Sequence, residues 1–211
     1  TIRMKLPGQD YPCDIILGVP VGFEQVSVTK PYYRSTYALV FPKTQGGKLD
    51  GVASVQDFLA LGPQRLSQLR IGVYDKSPAT AWLLKHNLVE SGVPYKILNA
   101  DPQQYPGEII EKDLAAGKID AAIVWGPIAG FFARRVKTPQ LAVVPMKSEP
   151  GVQLDYEMAM GVRYGEREWK QQVEGLIESQ RPQIEAILRE YGVPLVDASY
   201  AMPGASAPAG R

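Results

Sequence analysis

The sequence predicts an α/β fold. Strand-length apolar runs alternate with helical patterns between residues 69 and 145. Two longer β-rich runs, 35–41 and 155–162, flank that block, and two amphipathic helical patterns follow it. The chain has 211 residues, 45% hydrophobic and 21% charged, which is enough for a sizeable core in one large domain or two small ones.

The elements are justified in chain order. Residues 14–17 read as a buried strand, and Gly18-Val19-Pro20 as a small-residue turn. After a polar excursion come the aromatic pair Tyr32 and Tyr33 and the β-rich run 35–41. Residues 43–54 are a connector, with turns marked by Gly46, Gly47 and Gly51. A short helix is expected over 55–61 and a buried strand over 69–74. Ser77 is a good N-cap and Pro78 a good first helical residue. Trp82, Leu83, His86 and Val89 then share one helical face until Gly92 stops the helix. A second strand is expected over 95–98. Ile109, Ile110 and Leu114 indicate a helix ending at Gly117. A third strand, 119–125, runs into Gly126-Pro127, where a new helix begins, and a fourth covers 141–145. Residues 155–162 alternate as a strand. Trp169, Val173, Leu176 and Ile177 mark one amphipathic helix, and Ile184, Ile187, Leu188 and Tyr191 another; both are expected to pack on a core. The small, polar tail from Val196 is expected to be flexible.

A net charge of +1 leaves no electrostatic footprint for nucleic acid. The apolar runs are too short and interrupted for a membrane span or a signal peptide. Cys13 is the single cysteine and precedes an apolar run, so it reads as a small core hydrophobe. The abrupt opening TIRMKLPGQDYP suggests that an upstream segment is absent.

Three blocks carry a resemblance: GVP followed by KPYYRSTYALV, then IDAAIVWGPIAGFFAR at 119–134, then REYGVPL at 189–195. Across 13–195 the chain resembles the type II periplasmic binding proteins. Within them it is similar to the periplasmic J proteins of methanol-dehydrogenase gene clusters, the MxaJ/XoxJ type. The resemblance implies two α/β lobes joined by two crossing strands, with the first lobe incomplete here. Lobe 1 would hold 1–38 and 158–195, lobe 2 would hold 39–157, and 196–211 would be a tail. It also implies export to the periplasm and a role beside a PQQ-dependent alcohol dehydrogenase, in activation or maturation rather than uptake.

The inter-lobe cleft candidates are Pro20, Tyr32, Tyr33, Arg34, Ser77, Thr80, Trp125, Gly126 and Glu157. Amino-acid-binding members clamp the ligand carboxylate with an arginine, and that position most nearly matches Gln25 here. The aspartate that holds the ammonium group is replaced by Trp125-Gly126-Pro127. Both ionic anchors are missing, so free amino acids are not the expected ligand. The helix opening at Ser77 and Thr80 offers N–H groups to an anion, or is a simple N-cap. Tyr32, Tyr33 and Arg34 line a cleft or are structural. Trp125 ends a strand and projects into a cleft, or packs in a core. Neither a metal site nor a cofactor motif is visible, and no catalytic signature appears; His86 on its apolar face reads as a core or boundary histidine. Glu24 and Glu157 are the only guesses for a cleft acid or base.

Three functions follow. The first is a non-catalytic partner that engages a methanol dehydrogenase, through its large subunit or apo form, or its cofactor. The second is the solute-binding component of an ABC transporter for an uncharged or apolar ligand. The third is an enzyme on the same scaffold. A cleft without ionic anchors suits a small apolar ligand or a peptide segment.

Overall fold

The computed structural model describes residues 2, 8, 10–96 and 104–201. In chain order the elements are β1 (Ile16–Pro20), β2 (Ser27–Val28), β3 (Tyr33–Pro42), α1 (Val55–Ala60), α2 (Pro63–Leu66), β4 (Ile71–Tyr74), α3 (Pro78–Lys85) and β5 (Gly92–Tyr95). A π-helical stretch, Ile109–Leu114, precedes β6 (Ala121–Trp125), α4 (Gly126–Arg135), β7 (Leu141–Pro145), β8 (Asp155–Val162), α5 (Arg167–Ser179) and α6 (Arg181–Glu190). The chain forms two compact units. Unit 1 comprises residues 1–35 and 156–190, and unit 2 residues 36–155 and 191–211. The chain changes unit inside β3 and again inside β8.

In unit 2 strands β4, β5 and β6 are mutually parallel neighbours, with β4 between the other two. β3 runs antiparallel to both β6 and β7. Period-two alternation sends Leu39, Phe41, Ile71, Val73, Ala121 and Ile123 to one face. Ala38, Val40, Ala122 and Val124 go to the other. Phe58 of α1 and Trp82 of α3 cover the first face, while Ile109, Ile110 and Leu114 with Ala129 and Ala133 of α4 cover the second. A sheet covered on both faces explains why these strands read as continuous apolar runs. Burial of side chains such as Phe58 contributes about 1.5–3 kcal/mol each. The π-helical stretch shows i→i+5 bonds, with Ala115 N–H donating to Ile110 O at 3.1 Å and Lys118 N–H to Asp113 O at 2.9 Å.

In unit 1, β8 pairs antiparallel with β1 (Val19 opposite Ala159) and with β2 (Ser27 opposite Val162). Val19 and Val26, with Phe23 and Val28 packed against them, form a small core. Arg163 fastens the segment before β1: it donates to Asp14 Oδ1 at 2.6 Å and to Cys13 O at 2.7 Å, and it lies over the Tyr11 ring.

Several expectations are corrected. The first strand covers 16–20 rather than 14–17, and its Leu17 is 61% exposed. The turn falls after Pro20, where Phe23 N–H donates to Pro20 O and Gly22 takes φ of +91°. Gly22, not Gly18, supplies the left-handed backbone that such a turn requires. Helix α3 stops at Lys85, because Asn87 adopts φ of +56°. Val89 therefore leaves the α3 face and starts a short 3₁₀ turn (Val89–Ser91), and Gly92, which caps that turn in an extended conformation, opens β5 instead of ending α3. The strand expected over 95–98 ends at Tyr95, and residues 97 and 98 lie outside the described residues. Helix α5 buries Val173 and Ile177 but leaves Leu176 exposed, and α6 buries no residue.

Residues 191–195, expected with the first lobe, group with unit 2. Tyr191 stacks on Phe131 at 5.6 Å, and the Gly192 backbone lies directly against Gly130 of α4. The tail is held at least to Tyr200. Asp197 caps a short turn, and Ser148 N–H donates to Tyr200 O at 2.9 Å. The rest of the tail, 202–211, lies outside the described residues.

Candidate functional site

Parallel strands place their carboxyl ends along one edge of the sheet, and in open α/β sheets that edge forms the ligand crevice. In unit 2 each of these ends is aromatic: Tyr74 on β4, Tyr95 on β5 and Trp125 on β6. Register sets Tyr74 opposite Tyr95, and Tyr37 of β3 opposite Trp125. The ring centroids lie 6.3 Å apart in the first pair and 5.6 Å in the second. Around them is a pocket of about 320 Å³. Tyr105, Pro106, Ile109 and Ile128 complete its apolar wall, while Ser77, Lys96, Gln104 and Glu108 supply polar groups.

The phenol groups are mostly committed to the protein. Tyr74 Oη donates to Pro106 O at 2.6 Å, Tyr95 Oη to Asp113 at 2.8 Å and Tyr105 Oη to Glu111 at 2.7 Å. Burial and the nearby Glu108 carboxylate push Tyr74 up to about 12. Burial, then the bond to Asp113, also raises Tyr95. These rings are therefore neutral walls at physiological pH. Glu108 is itself engaged by Lys112 at 2.5 Å. Ser77 differs from its neighbours. It is 9% exposed, and among the described residues its Oγ has no hydrogen-bond partner. It occupies the N-cap of α3, but its side chain caps nothing. A buried, unpaired hydroxyl costs free energy until something bonds to it.

The sequence candidates divide between the units. Ser77 and Trp125 share this pocket. Gly126 is buried as the first residue of α4, next to Trp125. Thr80 Oγ1 donates to Tyr74 O at 3.3 Å. Pro20, Tyr32, Tyr33, Arg34 and Glu157 belong to unit 1. There Tyr32 packs edge-on against Tyr33 at 4.9 Å and donates to Leu17 O, and burial raises both phenols. Arg34 lies 3.4 Å from Glu157, so that carboxylate has a cationic partner.

Sequence reasoning missed Tyr37, Tyr74, Tyr95 and Tyr105. An aromatic residue at the carboxyl end of each parallel strand was the available signal for Tyr74 and Tyr95. Tyr105 sits in irregular backbone, where the sequence carries none.

His86 lies at the end of α3 and bonds to the Glu149 carboxylate at 3.0 Å. Trp82 Nε1 and Lys85 Nζ reach the same carboxylate, each at 3.0 Å. Burial alone would raise Glu149; the bonds from Lys85, His86 and Trp82 outweigh it and hold the carboxyl below its usual range. This cluster ties α3 to the loop before β8. Among the described residues no group of three or more His, Cys, Asp or Glu side chains is arranged to hold a metal ion. No helix among them is long and apolar enough to cross a membrane.

No protein-family model matches the chain. It is 27% identical over 201 residues to Protein MoxJ of Methylorubrum extorquens, covering 89% of this chain and 64% of that relative, so it spans just under two thirds of the relative's length. The crystal structure of periplasmic binding protein XoxJ from Methylobacterium extorquens AM1 aligns with TM-score 0.69 and 34% identity, over 88% of this chain and 76% of that one. The crystal structure of MxaJ from Methlophaga aminisulfidivorans MPT aligns with TM-score 0.70 over 87% and 76%; at 23% identity this is a likeness of fold.

Proposed function

Because this chain belongs to the periplasmic J-protein family, the XoxJ/MxaJ branch of the type II periplasmic binding proteins, we propose that it is a non-catalytic periplasmic partner of a PQQ-dependent methanol dehydrogenase. It engages the large subunit or the apo form and assists activation or maturation of the enzyme. The observation that carries this reading is the unit 2 pocket, where four tyrosines and Trp125 stand at the crevice edge. Such a surface suits a segment of another protein, since aromatic side chains supply contact area at low entropic cost. The replacement of the aspartate anchor by Trp125-Gly126-Pro127 argues against amino-acid uptake.

Deleting the gene is the direct test. Dehydrogenase activity falls while the enzyme's polypeptide is still made. Unchanged activity, with normal cofactor and metal content, contradicts the reading. The pocket volume also lies at the small-molecule scale, which supports a second reading as the binding component of a transporter for an uncharged or apolar solute. That reading requires a permease and an ATPase encoded beside the gene.

A further inference from the structure

We propose that the unit 2 pocket receives one uncharged aromatic side chain of the partner, and that Ser77 Oγ donates a hydrogen bond to a main-chain carbonyl beside that ring. This rests on the partner reading above.

The walls decide the ring. Tyr37 and Trp125 meet at an interplanar angle of 59°, and Tyr74 and Tyr95 at 68°. A third ring entering among tilted rings gains edge-to-face contacts that a saturated ring of the same size does not. The phenol hydroxyls of Tyr74, Tyr95 and Tyr105 already donate to protein acceptors, so they do not compete for a polar ligand. The charges argue against a cation: Glu108 lines the pocket but is already paired with Lys112, and Lys96 adds a positive charge to the lining, so the apolar walls rather than a charge balance favour a neutral ring. Ser77 decides the polar contact. Ser77 lines the pocket, its Oγ is buried and among the described residues unpartnered, and a carbonyl oxygen that reaches it satisfies it without importing a charge.

The test is calorimetric titration of the whole protein with N-acetyl-L-phenylalaninamide, its cyclohexylalanine analogue and phenylacetate. Binding to a purified apo dehydrogenase is measured in parallel. The aromatic amide binds about fivefold or more tighter than the cyclohexyl analogue. Ser77→Ala weakens the amide by about tenfold, and Ser77→Thr, which keeps a hydroxyl, recovers most of that loss. Melting temperatures of both variants verify the fold. Equal binding of the cyclohexyl analogue, or an unchanged Ser77→Ala affinity, overturns the proposal. Tighter binding of phenylacetate overturns it in favour of a small aromatic acid. If the dehydrogenase binds but the amide neither binds nor competes, the pocket assignment fails and the partner reading stands. Amide binding without dehydrogenase binding overturns the partner reading, and with it the source of the ring.

Discussion

Glu149 shows how one carboxylate can organise a helix end. Its three donors come from positions 82, 85 and 86, the last turn of α3, and all converge on it. The folded carboxyl titrates below its ordinary value of 4.5. A depressed carboxylate contributes stability that is present above the unfolded value and is lost as pH falls through the folded one. Glu149→Gln therefore lowers the melting temperature most near neutral pH. The gap between variant and wild type narrows as the pH drops below about 4, and melting curves across pH 3–7 measure it. A constant gap across that range contradicts the assignment. Trp125 acts at the same scale but on binding. It is half-buried at the end of β6, so its removal leaves the core clusters in place. Trp125→Ala is expected to weaken association with the dehydrogenase by about 2 kcal/mol or more, the scale of a hot-spot residue, with circular dichroism unchanged.

Helix α4 and the segment after α6 depend on a backbone contact. A Cβ at Gly130 would lie 1.8 Å from Gly192 O, and flexible side chains cannot relieve a clash between main chains. Alanine gains about 1 kcal/mol over glycine in a helix interior. Forcing the two backbones apart costs about 1–3 kcal/mol or more. Gly130→Ala is thus expected to lower the melting temperature; a rise would mean that the close approach does not exist in solution. Elements were legible where period and burial agreed. Strands β3, β4, β6, β7 and β8 and the opening of α4 at Gly126-Pro127 follow from apolar runs with clear punctuation. The misses have physical causes. Asn87 ends α3 by adopting φ of +56°, a conformation asparagine tolerates better than most residues, but the apolar spacing continues through Val89 and masks the stop. The stripe Ile184, Ile187, Leu188 and Tyr191 runs unbroken across the end of α6, so its pattern hides the passage into unit 2 at Tyr191. Of the pocket, Trp125 and Ser77 were legible from position. Tyr74 and Tyr95 were open to the same strand-end argument, whereas the placing of Tyr37 beside Trp125 depends on strand register, which a single sequence does not reveal.

Across the molecule, charge and pocket chemistry point the same way. The net charge of +1 gives little long-range steering, so association with the dehydrogenase should vary only modestly between low and physiological salt. A steep salt dependence would instead place charged groups at the centre of the contact. Free amino acids, titrated as a panel, should show no micromolar binding, because a neutral glutamine does not replace a bidentate guanidinium. The affinity of the purified protein for the apo form of a PQQ-dependent methanol dehydrogenase tests the central claim most directly. Sedimentation or calorimetry should reveal a saturable complex that Trp125→Ala weakens. Failure of the wild-type protein to associate with either the apo form or the large subunit, together with micromolar binding of an amino acid, would contradict the account and favour transport.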